Sequence, residues 1–226
     1  MKCYAIIAAA VLLAASTPAA EPFTPTCIET AGYAVPKRPY VALRRLEAEN
    51  GKTGKEAWMD ARTTLGADGR LAVEILDEGG SEQIRNRVFR AALEREQELV
   101  ATRSSGPASL DTYECAEPEL DASGLLRVPL RPLRKDVNLV FGDLFMQPST
   151  GDVVRVAGRL SKSPSFWVSQ VDVEWRYERV HNDIVLPVSL YSNAKVKIFG
   201  PSTFRMTYDY VSVDGQPVTV GTRAAR

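Results

Sequence analysis

The stretch Phe166-Trp-Val-Ser-Gln-Val-Asp-Val-Glu-Trp-Arg-Tyr-Glu-Arg179 separates by parity into two chemistries. Trp167, Val171, Val173, Trp175 and Tyr177 take one set of alternate positions; Gln170, Asp172, Glu174, Arg176 and Glu178 take the other. Successive side chains of a strand point to opposite faces, so the stretch predicts a long β-strand, apolar on one side and charged on the other. The pattern recurs elsewhere. Leu71, Val73 and Ile75 share a parity, as do Leu139, Phe141 and Phe145, then Val154, Val156 and Leu160, then Phe204, Met206, Tyr208 and Tyr210. Arg155, Arg159, Arg205 and Asp209 occupy the opposite positions.

Working outward from this ladder, turn chemistry divides the chain into strands. Tyr40 to Glu49, Lys55 to Leu65 and Arg70 to Asp77 predict three antiparallel strands joined by Asn50-Gly-Lys-Thr-Gly54 and Gly66-Ala-Asp-Gly69, both with the Gly and Asn/Asp content of tight hairpins. Further strands are expected over Leu110 to Ala116, Gly124 to Leu130, Val137 to Met146, Asp152 to Leu160, Ser165 to Val180, Ile184 to Ser192, Ala194 to Phe199 and Thr203 to Val213. Their separators include Pro148-Ser-Thr-Gly151, Ser161-Lys-Ser-Pro164, His181-Asn-Asp183, Gly200-Pro201 and Asp214-Gly215. Short strands at regular spacing read as an antiparallel meander.

One helix interrupts them. Gly79-Gly80 break the third strand, Ser81 supplies a cap, and Glu82 to Val100 contain neither Pro nor Gly. Ile84, Val88, Ala91, Ala92 and Leu99 form an apolar stripe that Phe89, Leu93 and Val100 widen. The fold class is therefore mainly β with one long helix: a curved antiparallel sheet forming an incomplete, half-open barrel packed on that helix. With 226 residues, 45% hydrophobic and 28 basic against 28 acidic side chains, the chain can bury one sizeable core. The neutral balance gives no electrostatic reason to expect nucleic acid or an anionic membrane as partner.

The amino terminus has the order of a secretory signal peptide: Lys2, an apolar run from Tyr4 to Ala15, then Ser16-Thr-Pro-Ala-Ala20. The run is too short to span a bilayer as a helix. The expected organisation is a signal peptide over 1–20, an irregular Pro-rich lead-in over 21–39, a single half-barrel domain over 40–215 and a tail over 216–226. Export across the inner membrane to the periplasm follows, in a form that is not transmembrane: the alternate faces are densely charged and the broad helix needs an apolar surface to dock on. Cys3 leaves with the signal, so Cys27 and Cys115 remain as a disulfide candidate in an oxidising compartment. Closing that loop would stabilise the fold by roughly 4–5 kcal/mol in the chain-entropy account, with two separate thiols as the alternative.

Catalytic readings are weak. There is no Gly-x-Ser-x-Gly elbow, and the single histidine, His181, sits in a predicted turn, which also leaves no metal-ligand set. Gly51-Lys-Thr53 lacks the upstream glycine of a phosphate loop, since Leu46 stands there. Asp172 and Glu174 have the residue types of a glycosidase pair, yet they alternate with charged neighbours as a solvated face does. No catalytic residue, cofactor or metal is expected.

The segments Asp152-Val-Val-Arg-Val-Ala-Gly-Arg-Leu160, Lys162-Ser-Pro-Ser-Phe-Trp167, Val180 to Pro187 and Val196-Lys-Ile-Phe-Gly-Pro201 resemble the periplasmic lipoprotein-carrier families of LolA and LolB type, and the related RseB-type lipid-sensing domains. That resemblance implies an incomplete barrel with helical cover and an apolar concavity holding a lipid, an acyl chain or a lipoprotein moiety. The lining candidates are Phe89, Leu93, Leu139, Phe141, Trp167, Val171, Val173, Trp175, Tyr177, Phe204, Met206 and Tyr208. Two other expectations compete: an envelope protein-interaction or sensing module whose core is filled by its own side chains, and a secreted hydrolase of unrecognised type.

Overall fold

The computed structural model describes residues 38–102, 112–114, 117–166, 168–181, 184–197 and 200–218. These build an open antiparallel sheet of eleven strands with one helix packed against it. The strands are β1 (Tyr40–Asn50), β2 (Lys55–Leu65), β3 (Leu71–Gly80), β4 (Glu119–Leu120), β5 (Leu126–Leu130), β6 (Val140–Met146), β7 (Val153–Leu160), β8 (Val168–His181), β9 (Ile184–Val196), β10 (Gly200–Val213) and β11 (Gln216–Pro217). Their order is β3-β2-β1-β10-β9-β8-β7-β6-β5-β4, with β11 paired to β10. The chain thus runs as two meanders, β1–β3 and β4–β10, joined by the β1–β10 pairing. Among the described residues the terminal strands β3 and β4 do not pair, so the sheet stays open.

Turn residues set the registers. In the β1–β2 hairpin the Asn50 side chain accepts the Thr53 amide at 2.9 Å, and the Asn50 carbonyl accepts the Gly54 amide at 2.9 Å, with Gly54 at φ 63°. Asp214 and Gly215, at φ 51° and 74°, make the two-residue turn that returns β11 onto β10. That short pairing takes Gln216 and Pro217 from the expected tail into the sheet.

Cross-strand partners share a face, and the rows sort cleanly. Trp175, Leu190, Met206, Leu46 and Met59 form an apolar row, while Glu174, Tyr191, Arg205, Glu47 and Trp58 form a neighbouring row on the charged side. On the apolar side Gly142 pairs with Gly158. A Cβ on Gly142 would lie 2.1 Å from the Ala157 carbonyl oxygen, and one on Gly158 would lie 2.4 Å from that of Phe141. Only glycine lets two backbones approach this closely.

The helix, α1, runs through Glu82–Ile84, a π-helical stretch Arg85–Arg90, and Ala91–Ala101. Gly80 opens it at φ 77°, where a Cβ would meet the Glu56 carbonyl oxygen at 2.4 Å. Ser81 occupies the cap position with extended backbone, but its side chain makes no capping hydrogen bond; its carbonyl accepts the amides of Ile84 and Arg85 at 3.1 Å. The wide turn inserts a residue into the helical phase. A 3.6-residue period from Ile84 leads to Val88, whereas the structure turns Phe89 inward and leaves Val88 37% exposed. The buried line of α1 is Phe89 and Leu93, with Ile84 and Val100 packed beside them.

Several expectations need correction. β6 faces the other way: Val140, Leu144 and Met146 are buried on the apolar side, and Phe141 stands 54% exposed on the charged side. Phe145 is on the charged side too, shielded by the Arg155 guanidinium 4.0 Å above its ring. In β7 a bulge opposite Phe145/Met146 places Val153 inward instead of Val154. Ile184 to Val196 is one strand where two were expected, and Gly200 and Pro201 open β10 rather than forming a free turn. The described part of Leu110 to Ala116 contributes only an isolated bridge from Tyr113 to Pro132. Leu139 precedes β6 but is buried.

Candidate functional site

The apolar face is packed into three clusters. The largest lies beneath α1 and unites Phe89 and Leu93 with Leu46, Met59 and Ala61 of β1 and β2, Leu186 of β9, and Met206, Tyr208 and Tyr210 of β10; Phe204 packs against it. A second gathers Tyr113, Leu130, Leu139, Leu144, Val156 and Tyr177. A third holds Val140, Val171 and Val173, and half-buried Trp175 joins the second and third. The twelve lining candidates are therefore distributed over these clusters, apart from Phe141 on the opposite face and Trp167, which lies outside the described residues. Cys27 and Cys115 lie outside them as well.

Inside the first cluster is a charge that parity reading passed over. Tyr40, Ala42, Arg44, Leu46 and Ala48 share the inward face of β1, so Arg44 enters the core, its side chain wholly enclosed. Glu96 of α1, placed between Leu93 and Val100 on the buried side, meets it with both carboxylate oxygens: Oε1 accepts from Nη2 at 2.9 Å, and Oε2 pairs with Nη1. Nη2 also donates to the Tyr40 hydroxyl at 3.0 Å, and the guanidinium lies 4.4 Å from the centre of the Tyr208 ring. The Arg44 Nε has no hydrogen-bond partner among the described residues. The sequence signal was present: an arginine at an apolar parity position and a glutamate on an apolar helix stripe.

Burial governs the titration of this cluster. For Arg44, desolvation by itself disfavours the charge, but Tyr208, Glu96 and Tyr40 outweigh it and hold the guanidinium protonated. Burial pushes the Tyr40 hydroxyl up to about 12, against the opposing pull of the Arg44 charge. Tyr208 and Tyr210 are driven upward by the same desolvation. A second ion cluster ties the start of α1 to the end of β3: Glu78 accepts from Arg85 at 2.7 Å and from Arg90 at 3.0 Å. The Arg90 hydrogen bond is the main cause holding the Glu78 carboxyl below its ordinary range, with Arg85 adding to it.

The charged face carries a groove of about 560 Å³ over β6–β9. Its rows follow from register: Phe141, Arg159, Asp172 and Asn193 align across four strands, and Ala157, Glu174 and Tyr191 form the next row. Ala157 stands between the long side chains of Arg155 and Arg159 on β7, which leaves the gap. Among the described residues, no group of three or more His, Cys, Asp or Glu side chains is arranged to hold a metal ion, and no helix is long and apolar enough to cross a membrane.

No protein-family model matches the sequence, and no curated protein matches it. Among solved structures the chain is similar to the crystal structure of a DUF1329 family protein from Desulfovibrio piger, with a TM-score of 0.35 and 8% sequence identity, over 86% of this chain and 91% of that one.

Proposed function

We propose that this protein is an exported, non-enzymatic binding protein of the cell envelope that takes a lipid or acyl chain against the apolar face of its sheet, with α1 occupying that face until the ligand displaces it. The observation that carries this reading is the Arg44–Glu96 pair at the centre of the helix seat. A permanent seat would be most stable if apolar, because desolvating two charges costs several kcal/mol that their attraction offsets only in part. A buried pair instead gives one defined closed position that can be released. The resemblance to lipoprotein-carrier domains points the same way.

Magnitudes allow the exchange. Withdrawing Phe89 and Leu93 forfeits about 1.5–3 kcal/mol each and parting Arg44 from Glu96 about 2–3 kcal/mol more, while an acyl chain recovers about 0.8 kcal/mol per methylene buried, so roughly six to eleven methylenes offset the loss. Native mass spectrometry of the purified protein, before and after incubation with phosphatidylglycerol, tests the proposal. A retained lipid adduct of one-to-one stoichiometry is the expected result. The opposing reading, a self-filled interaction module, is favoured by the absence of exposure at Leu46, Met59, Ala61 and Phe89. It predicts no adduct under either condition.

A further inference from the structure

The groove on the charged face lies away from the helix seat, reaching Gly158 and Val173 at its base, and has its own chemistry. Two of the exposed large apolar side chains flank it: Phe141 is 54% exposed and Tyr191 40% exposed, in rows otherwise occupied by Ala157 and by charged and amide groups. An aromatic ring left in water beside a cavity forgoes burial that a ligand would provide. The small floor residue Ala157 keeps the space between them open, and about 560 Å³ is the size of a small-molecule site.

The charges in the groove are already matched. Asp172 accepts from Arg159 Nε at 3.1 Å and from the Gln170 amide; Glu174 accepts from Arg176 Nε at 2.7 Å. Arg131 sits 4.4 Å from the centre of the Phe141 ring. A groove built to hold an anion would present unmatched cations, and one built for a cation would present unmatched carboxylates. Here the carboxylates are fixed in orientation by their guanidinium partners yet keep free lone pairs, since each oxygen accepts more than one hydrogen bond. Asn193 adds an amide with both donor and acceptor. Oriented planar acceptors and an amide between two aromatic rings fit a neutral ring that is apolar on its faces and hydroxylated at its rim.

We propose that this groove binds a neutral pyranose saccharide, its C–H faces against Tyr191 and Phe141 and its hydroxyls donating to Asp172 and Glu174. Isothermal titration of the protein with chitotriose, cellotriose and maltotriose tests it. Saturable binding of at least one, with Kd of about 0.1–1 mM, is expected, corresponding to a modest contact of two rings and a few hydrogen bonds. Tyr191→Ala, which removes a ring, and Ala157→Trp, which fills the floor, each weaken that binding at least tenfold. Asn193→Ala, a change that leaves rings and backbone in place, weakens it several-fold and serves in place of either variant if its thermal unfolding is altered. Absence of binding by all three sugars overturns the proposal, and so does binding that survives these substitutions. Lipid adducts seated beneath α1, in the first cluster, are unaffected in either case.

Discussion

Replacing Glu96 by Ala isolates the seat of the helix. Arg44 is fully enclosed, and among the described residues Glu96 supplies its only carboxylate, so the substitution leaves a buried guanidinium with the Tyr40 hydroxyl, the Met206 sulfur and the Tyr208 ring. Breaking a fully buried pair costs about 3–5 kcal/mol. The Glu96 side chain is 29% exposed, which lets water reach the vacated position and lowers the expected loss to about 2–3 kcal/mol. For a domain of this size that is a drop of roughly 5–10 °C in thermal midpoint. If α1 must leave for an acyl chain to bind, the same change raises acyl affinity, because the ligand no longer competes with the pair; 2 kcal/mol corresponds to about 30-fold. The double substitution Arg44→Met with Glu96→Leu does the reverse, holding or raising stability and weakening acyl binding. Calorimetric unfolding and titration with a fluorescent fatty acid on all three proteins read both quantities. A Glu96→Ala protein that loses stability while its acyl affinity stays level or falls would refute the reasoning, as would a stability loss below about 0.5 kcal/mol, the scale of an ordinary surface change.

Phe89→Ala empties the centre of the largest cluster and should cost about 3–5 kcal/mol by chemical denaturation, whereas Val88→Ala, on the outward side of the π turn, should cost less than about 1 kcal/mol. Gly142→Val drives a side chain into the β7 backbone 2.1 Å away; the loss of β6–β7 pairing is expected to show as lost hydrogen-exchange protection in both strands. Alkaline pH should unfold the protein cooperatively. Tyr40 is raised by burial from 10.0 to about 12, so the stability tied to its neutral form is complete below pH 10 and is lost as pH climbs toward 12. Phenolate absorbance of the buried tyrosines should therefore appear together with loss of tertiary circular dichroism, and ionisation of all tyrosines in a still-folded protein would contradict this. Acid should act on the Glu78 cluster: its carboxyl is held low by Arg90 and Arg85, so the contribution is present at neutral pH and lost as pH falls through its depressed range. Glu78→Gln is expected to flatten the acid limb of the stability profile.

The ladder from Val168 to Arg179 could be read from sequence because its two faces meet different media. Core and solvent impose period-two alternation, and Val171, Val173 and Tyr177 are buried as parity requires. Phe141 and Phe145 misled because an aromatic residue on the charged face can lay its ring against an arginine, Phe141 on Arg131 while still 54% exposed and Phe145 beneath Arg155 with little exposure, so hydrophobicity alone does not assign a face. Gly142 and Gly158 removed the opposing signal: a strand with glycine at an inward position shows its pattern only weakly. The phase of α1 was hidden by a π turn, which leaves no compositional mark. Arg44 and Glu96 each sit at an apolar position of their own element, and a pair of opposite charges on two inward stripes is the trace they left in the sequence. The groove needed register. Phe141, Ala157 and Tyr191 lie on three strands, and only the cross-strand alignment brings them together.

Binding at the apolar face is reported most directly by Trp175. This half-buried side chain joins the second and third clusters, and with Trp58→Phe and Trp167→Phe it becomes the only tryptophan. Fluorescence quenching by phosphatidylglycerol brominated along its acyl chain, in parallel with unbrominated lipid, is the measurement. Quenching that saturates, and that strengthens in the Glu96→Ala background, is the predicted result. Fluorescence that both lipids leave unchanged would contradict the account and leave α1 as a permanent part of the core.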